Sequence, residues 1–200
     1  MGMSRTGRSG RRRGETHTRD AIAAAARAAF ADVGYDRATM RSIATEAGVD
    51  PALIVHFFGT KETLFREVTA LPTELAAAMG GLAEGPRDDV GRRFAQAVAA
   101  MLENPATRQV VLARLRSAAS HPEAAELVRE LVSRDIGLLT SALTNDRPQT
   151  RAVLVGAQIV GVAFARYVVR VEPLASMDVT ELVDVLAPTF QRLLVGPLGD

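Results

Sequence analysis

The side chains that could support acid–base, metal or nucleophilic chemistry are few and far apart in this sequence. The only histidines are His17, His56 and His121, and no two of them share metal-ligand spacing with a carboxylate. There is no cysteine, which excludes disulfides and thiol chemistry and argues against a zinc site. Neither a glycine-rich phosphate loop nor a nucleophile elbow is present. We therefore expect no enzymatic activity, no bound metal and no cofactor.

Basic side chains offer a different chemistry, the binding of phosphate. Residues 1–65 hold ten Lys/Arg against seven Asp/Glu, although the net charge of the whole chain is only +1. Six arginines precede Asp20: Arg5, Arg8, Arg11, Arg12, Arg13 and Arg19. Residues 1–15 are predicted to form a disordered, arginine-rich arm. Two interpretations stay open for this arm, a solvated leader and a mobile segment that binds phosphate.

The elements that position these residues are predicted to be helices throughout, because apolar residues recur at helical spacing. The pattern predicts an all-α fold of about nine helices. The first helix is expected to begin near Thr18 and to end at Gly34, since glycine favours a helix C-terminus. Short helices are expected to follow N-cap residues at Thr39, Asp50 and Thr60.

Longer helices are predicted in the rest of the chain. The fourth helix is expected to run to Leu75, with Pro72 bending or ending it. After a linker at residues 80–89, helices are predicted over residues 86–103, 106–119 and 123–143, and then over Pro148–Val171 and Asp178–Val195.

The turn at Ala47-Gly48-Val49 joins two very short predicted helices. Glycine supplies a backbone conformation that side chains resist, and Asp50-Pro51 starts the next helix abruptly. Such a pair of helices is typical of a helix-turn-helix, whose second helix can enter the major groove of DNA. An ordinary corner between two helices has the same turn features, so the turn alone does not distinguish it from a helix-turn-helix.

The wider pattern resembles a known family. Residues 18–68, through "FADVGYDRATMRSIATEAGV" and "FFGTKETLF", are similar to the DNA-binding domain of the tetracycline-repressor (TetR) family of bacterial regulators. The resemblance implies a helix-turn-helix domain over residues 16–65 and a helical effector-binding and dimerisation domain over residues 66–200. It also implies a set of DNA-binding residues: Thr39, Arg41, Ser42, Gly48, Asp50, Pro51, Ala52, Val55, His56, Thr60 and Lys61.

The sequence departs from the family pattern at the reading helix. Val55 stands where the family usually has a phosphate-binding tyrosine, and Phe57 replaces a frequent histidine. His56 or the arginine arm could compensate for the lost hydroxyl. Asp50 brings a carboxylate close to phosphates, where it could accept a hydrogen bond from a cytosine amino group.

The segment 152–169 is apolar enough to resemble a membrane span. Gln158 and Arg166 lie within it, and polar groups of this kind are costly in lipid. We therefore expect no membrane insertion, and the absence of a signal-peptide pattern indicates the cytoplasm. A helix that is apolar on nearly every side needs further cover, so Pro148–Val171 and Asp178–Val195 are predicted to form a homodimer interface, and the resemblance points to the same pair. A central core helix inside a monomer is the alternative.

Candidate effector-binding residues are Phe94, Met101, Leu112, Arg116 and Gln158, which lie on the predicted apolar helices. For the apolar three a place in the hydrophobic core is the alternative, and for the two polar residues a place at the solvent. The resemblance implies a homodimeric repressor that binds a pseudo-palindromic DNA operator and releases it when a small, largely apolar effector binds. An alternative is a chromosome-organising factor of the same fold without an effector. An enzyme that has adopted the fold is a further alternative, but no acid, base or metal constellation supports it.

Overall fold

The computed structural model describes residues 9–70 and 80–199, with side chains from Thr16 onward. Within these ranges the chain forms nine helices and no strand, which confirms the predicted all-α class. The helices are α1 (Ser9–Arg37), α2 (Met40–Ala47), α3 (Pro51–Phe58), α4 (Lys61–Val68), α5 (Val90–Glu103), α6 (Pro105–Ala118), α7 (Pro122–Glu130, a π-helical turn over Leu131–Ile136, then Gly137–Leu143), α8 (Pro148–Ala163, continued as a π-helical turn over Phe164–Val169) and α9 (Val179–Val195).

Helix α1 begins earlier than its sequence predicts. It starts at Ser9 rather than near Thr18, so residues 9–15 of the predicted disordered arm are helical. Arginine and glutamate are good helix formers, and the glycines in this stretch each weaken a helix by only about 1 kcal/mol. Gly34 breaks α1 with φ 78° and ψ 173°, as the predicted glycine stop requires. Residues 1–8, the rest of that arm, lie outside the described residues.

The three predicted N-caps are present and fix the short helices. Thr39 Oγ1 accepts the backbone N–H of Ser42 at 3.0 Å, and Ser42 Oγ accepts the Thr39 N–H at 3.1 Å. The side chains of Asp50 and Thr60 each accept a backbone N–H in the first turn of α3 and α4, at 2.8 and 3.1 Å. Each cap satisfies donors that a helix start leaves unpaired. Helix α4 ends at Val68, earlier than predicted, because Thr69 and Ala70 are not helical. The rest of the expected continuation, residues 71–75 with Pro72, lies outside the described residues.

The first hydrophobic core joins α1–α4. Phe30 and Phe65 are fully buried, with their rings edge to face at 5.0 Å between centroids. Ala113 from α6 and Ala124 from α7 are buried in this same core. The first four helices therefore share packing with the helices that follow them and do not form a separately packed unit.

The second core lies between α5, α7, α8 and α9. Gly91 allows α5 to approach α9 closely, because a Cβ added at this position would lie 2.4 Å from the backbone N of Gln191. Close by, the rings of Phe94 and Phe190 meet edge to face at 4.9 Å. Arg151 is only 2% exposed, and its guanidinium donates to the carbonyls of Asp146 and Leu193 at 2.7 and 2.9 Å, so it ties α8 to the end of α9.

Helix α8 contains the segment that resembles a membrane span. Among the described helices, Pro148–Val169 alone is long and apolar enough to cross a membrane, with a mean hydropathy of 1.9. One face of this helix packs inward. Arg166 is buried on that side and donates to the Leu174 carbonyl at 2.6 Å. The helix thus packs in the second core along one side and is uncovered along the other.

Candidate nucleic-acid interface and internal cavity

The turn between α2 and α3 is built around Gly48. Its φ of 66° and ψ of 33° are left-handed, a conformation that costs other L-residues roughly 1–2 kcal/mol. The N–H of Gly48 donates to the Thr45 carbonyl at 3.2 Å, and the N–H of Val49 donates to the Ala44 carbonyl at 3.0 Å. These bonds satisfy the last carbonyls of α2, so that only three residues separate the end of α2 from the start of α3.

Helix α3 is anchored by two residues and exposed along the rest of its surface. Ile54 and Phe58, one turn apart, are 0% and 3% exposed in the first core. Ala52, Val55 and His56 are all exposed, Val55 to 57%. Because Ala52 is followed three and four residues later by Val55 and His56, these side chains lie on one face of the helix.

The start of α2 presents exposed polar groups. Thr39, Arg41 and Ser42 are all exposed, and the reciprocal hydrogen bonds of Thr39 and Ser42 hold the first turn. Among the described residues, no carboxylate lies within salt-bridge distance of Arg41. A helix start with an unpaired cation is suited to bind an anion such as a phosphate.

The start of α4 carries the single lysine of the chain. The Lys61 ammonium lies 4.3 Å from the ring centroid of Tyr35, within the range of a cation–π interaction. Burial lowers the pKa of this ammonium, and the nearby Asp36 carboxylate acts in the opposite direction. Within the described part of the chain Lys61 has no salt bridge, so the ring of Tyr35 positions its charge without neutralising it.

Arg19 contacts the neighbouring helices. Its guanidinium forms a salt bridge with Glu67 and lies 4.9 Å from the ring centroid of Phe58. These contacts tie α1 to α3 and α4. Arg19 therefore stabilises the first core, a role that its place in an arginine-rich segment does not indicate.

A cavity opens between α5, α6, α7 and α8. It has a volume of about 450 Å³ measured out to its mouth, and all its lining residues except Arg114 are apolar. The lining includes Met101, Val111, Leu115, Leu131, Ile159 and Val160. The π-helical turn Leu131–Ile136 of α7 forms part of the wall, and such wide turns occur often at functional sites. The apolar lining is suited to contact an apolar molecule rather than a charged one.

Comparison with known proteins identifies the family. Residues 22–68 match the family described as "Bacterial regulatory proteins, tetR family", and residues 88–194 match the family described as "Tetracyclin repressor-like, C-terminal domain". The chain belongs to the TetR family. It is therefore related to DNA-binding transcriptional regulators rather than to enzymes, and the resemblance of residues 18–68 to the TetR DNA-binding domain is confirmed.

Solved structures of TetR regulators have the same fold. A TetR-family regulator from Streptomyces coelicolor is 34% identical, with a TM-score of 0.59 over 90% of this chain and 96% of the other. NalD from Pseudomonas aeruginosa, the secondary repressor of the MexAB-OprM multidrug efflux pump, is 22% identical with a TM-score of 0.69 over 92% and 98% of the two chains. A TetR-like regulator from a Rhodococcus species is 18% identical with a TM-score of 0.65 over 90% and 97%. No curated protein sequence matches the chain.

The five effector-binding candidates from the sequence do not come together in this TetR-family fold. Met101 lines the cavity. Phe94 is fully buried in the second core, Leu112 packs against the first core, and Gln158 is exposed on α8. Arg116 donates to backbone carbonyls at the end of α1. Helical spacing identified apolar helices correctly, but it could not show which side of each helix faces the cavity.

Helix α6 connects the cavity to the first four helices. Arg114, which lines the cavity, donates from Nε to the carbonyl of Thr69 at the end of α4, 2.9 Å away. Three residues later, Ser117 Oγ accepts the backbone N–H of Tyr35 at 2.9 Å. Because both residues are on α6, a displacement of this helix at the cavity would move its contacts with α1 and α4.

A second junction joins α1 and α4 to the start of α7. The rings of Tyr35 and His121 lie 3.7 Å apart between centroids, and Arg66 forms a salt bridge with Glu123 at 3.4 Å. A hydrogen bond between the carboxyl groups of Glu62 and Glu123 raises the pKa of Glu62 and lowers that of Glu123. His121 is thus part of a contact between helices. No group of three or more His, Asp or Glu in the described residues could hold a metal ion.

Helices α8 and α9 present an uncovered apolar face. Val153 is 60% exposed and Phe164 44% exposed, and between them Ala157 and Gly161 are exposed at intervals of about one turn. On α9, Val185 is 58% exposed. A Cβ added at Gly161 would meet no atom within 4 Å. A row of exposed apolar residues on neighbouring helices is typical of a surface that another protein covers.

Proposed function

We propose that this TetR-family protein is a cytoplasmic, homodimeric transcriptional repressor that binds a pseudo-palindromic operator and releases it when a small apolar molecule fills the cavity. The observation that carries the proposal is α3, an eight-residue helix that begins directly after the Gly48 turn and leaves Ala52, Val55 and His56 uncovered. A helix with this exposure and this position after a tight turn can enter the major groove.

The contacts with DNA divide into two kinds. Helix α3 reads base edges, with Asp50, Pro51 and Ala52 in its first turn. The starts of α2 and α4 bind phosphates on either side through Arg41 and Lys61, which no carboxylate of the described residues neutralises. Thr39, Ser42 and Thr60 hold these helix starts in place through their capping hydrogen bonds. Phosphate contacts at such positions set the register on the duplex.

The second domain, residues 66–200, supplies the dimer. The uncovered row of apolar residues on α8, together with Val185 on α9, supports a two-fold interface in which the pair packs against the same pair of a second copy. A two-fold dimer presents two α3 helices to two half-sites, which is why the operator is expected to be an inverted repeat.

Effector binding is proposed to act through α6. A molecule in the cavity would press on Val111 and Leu115, and the same helix holds α4 through Arg114 and α1 through Ser117. An effector that binds better to a state with displaced α6 shifts the population away from the DNA-binding state. The cavity also favours this function over the chromosome-organising alternative, which needs no internal space.

Selection from a random-sequence DNA pool tests the DNA-binding part of the proposal. The purified protein should enrich one inverted repeat, and enrichment of no sequence would contradict the proposal.

The effector part of the proposal is tested with compounds that release this DNA. Val160→Trp, which fills the cavity, should abolish the response to such a compound while DNA binding persists, and a compound that still acts on this variant would place the effector elsewhere.

A further inference from the structure

The exposed surface of α3 is almost entirely aliphatic. Between the N-cap and His56 its exposed residues are Pro51, Ala52, Leu53 and Val55, none of which has a hydrogen-bonding side chain. The N-cap itself, Asp50, uses Oδ1 to accept the N–H in the first turn at 2.8 Å. Apart from His56, the face available to DNA therefore offers methyl and methylene groups rather than donors or acceptors.

The base edges in the major groove differ in the chemical groups that they present to a protein. Guanine, adenine and cytosine present acceptors and amino donors there, and proteins usually read these with long polar side chains such as Arg, Asn or Gln. Thymine alone adds a methyl group, which small apolar side chains contact favourably. An aliphatic face placed over other bases would remove water from polar edges without replacing the lost hydrogen bonds.

The cations of the interface do not add contacts with base edges. Arg41 at the start of α2 and Lys61 at the start of α4 are suited to phosphates, and phosphate contacts fix position but carry no direct sequence information. Direct sequence information is therefore assigned to α3 and its N-cap, where Asp50, Ala52, Val55 and His56 are exposed.

We propose that the operator half-site places thymine methyl groups against Ala52 and Val55, so that the protein reads these bases by their methyls. The proposal rests on the proposed binding of operator DNA by α3. The side chain of Val55, 57% exposed, provides the larger contact, and Ala52, three residues earlier on the same face, allows close approach of the backbone to the groove. His56 remains for a polar base edge or a phosphate next to this apolar contact.

The test replaces thymine by deoxyuridine at single positions of the selected operator. Deoxyuridine keeps the base pair and all groove hydrogen-bonding groups but lacks the methyl. At one or two positions of each half-site, the dissociation constant should rise roughly three- to fivefold for each lost methyl, the factor expected for one buried methyl group. Equal affinity at every substituted position, with specific binding intact, would overturn the proposal.

A double-mutant cycle assigns the effect to a residue. In Val55→Ala the loss caused by deoxyuridine at the contacted position should shrink to less than twofold, because the partner of the methyl has been removed. Leu138→Ala, at an exposed leucine (69%) on α7 and away from the proposed subunit contact, is the control and should keep the full deoxyuridine effect. An undiminished effect in Val55→Ala would also overturn the assignment. If no sequence is enriched in the selection itself, the DNA-binding function fails and not this inference alone.

Discussion

Replacing Gly48 by alanine should weaken both the fold of the first domain and its binding to DNA. The backbone of Gly48 has φ 66° and ψ 33°, which costs an L-residue roughly 1–2 kcal/mol. A Cβ at this position would meet no atom within 4 Å, so conformational strain is the whole effect and no steric clash is added. The free energy of unfolding should therefore fall by about 1–2 kcal/mol, a factor of roughly 5–30 in the folded-to-unfolded ratio.

The assay is urea unfolding at fixed protein concentration, because the stability of a dimer depends on concentration. Gly81→Ala is the matched control. Gly81 also has no atom within 4 Å of an added Cβ, but its φ of −64° suits any residue, so the variant should be unchanged or slightly more stable. Gly48→Asn should lie between wild type and Gly48→Ala, since asparagine enters the left-handed region more readily. Equal stability of Gly48→Ala and Gly81→Ala would refute the reasoning.

Four further predictions address charge, assembly and acid stability. Lys61→Ala should weaken binding to all DNA sequences alike and lower the slope of log K against log salt by about one, whereas a loss confined to one operator variant would contradict a phosphate contact. Deletion of residues 1–14 should lower affinity and flatten the salt dependence further, and an unchanged slope would show that the arm does not bind phosphate. Gly161→Arg should give a folded, helical monomer in sedimentation, because the added side chain enters the proposed subunit contact; an aggregated chain would instead place Gly161 in the core of a subunit. The Arg151 guanidinium holds the pKa of the Asp146 carboxyl below its ordinary value, so the stability from this pair is present at neutral pH and is lost as pH falls through the folded-state pKa. Urea unfolding of Asp146→Asn at a series of pH values should therefore show a weaker acid dependence than wild type. An identical pH profile would contradict this role of the pair.

Local chemistry explains why much of the first domain was predictable from the sequence. Thr39, Asp50 and Thr60 act on the N–H groups two or three residues ahead of them, so short sequence patterns suffice to locate the helix starts. The positive φ values of Gly34 and Gly48 could likewise be expected from the sequence, without the tertiary fold. The resemblance to the TetR family rested on the same local segments, and the match of residues 22–68 bears it out.

Contacts between distant residues could not be predicted in the same way. Arg151, fully buried and bonded to carbonyls more than forty residues away, has no local pattern that distinguishes it from an exposed arginine. The cavity wall depends on how α5–α8 are rotated about their axes, which is why Met101 was the only candidate placed there. The effector-binding role of the cavity and the roles of the DNA-facing residues stay predictions.

Mapping of bound DNA across the genome of the bacterium that makes the protein tests the central claim most directly. A ligand-responsive repressor should occupy a small number of discrete sites, each with the same inverted repeat whose half-sites fit the two α3 helices of a dimer. It should leave those sites when the effector is present. Broad coverage of the chromosome without a shared motif, unchanged by small molecules, would contradict the account and favour a chromosome-organising factor.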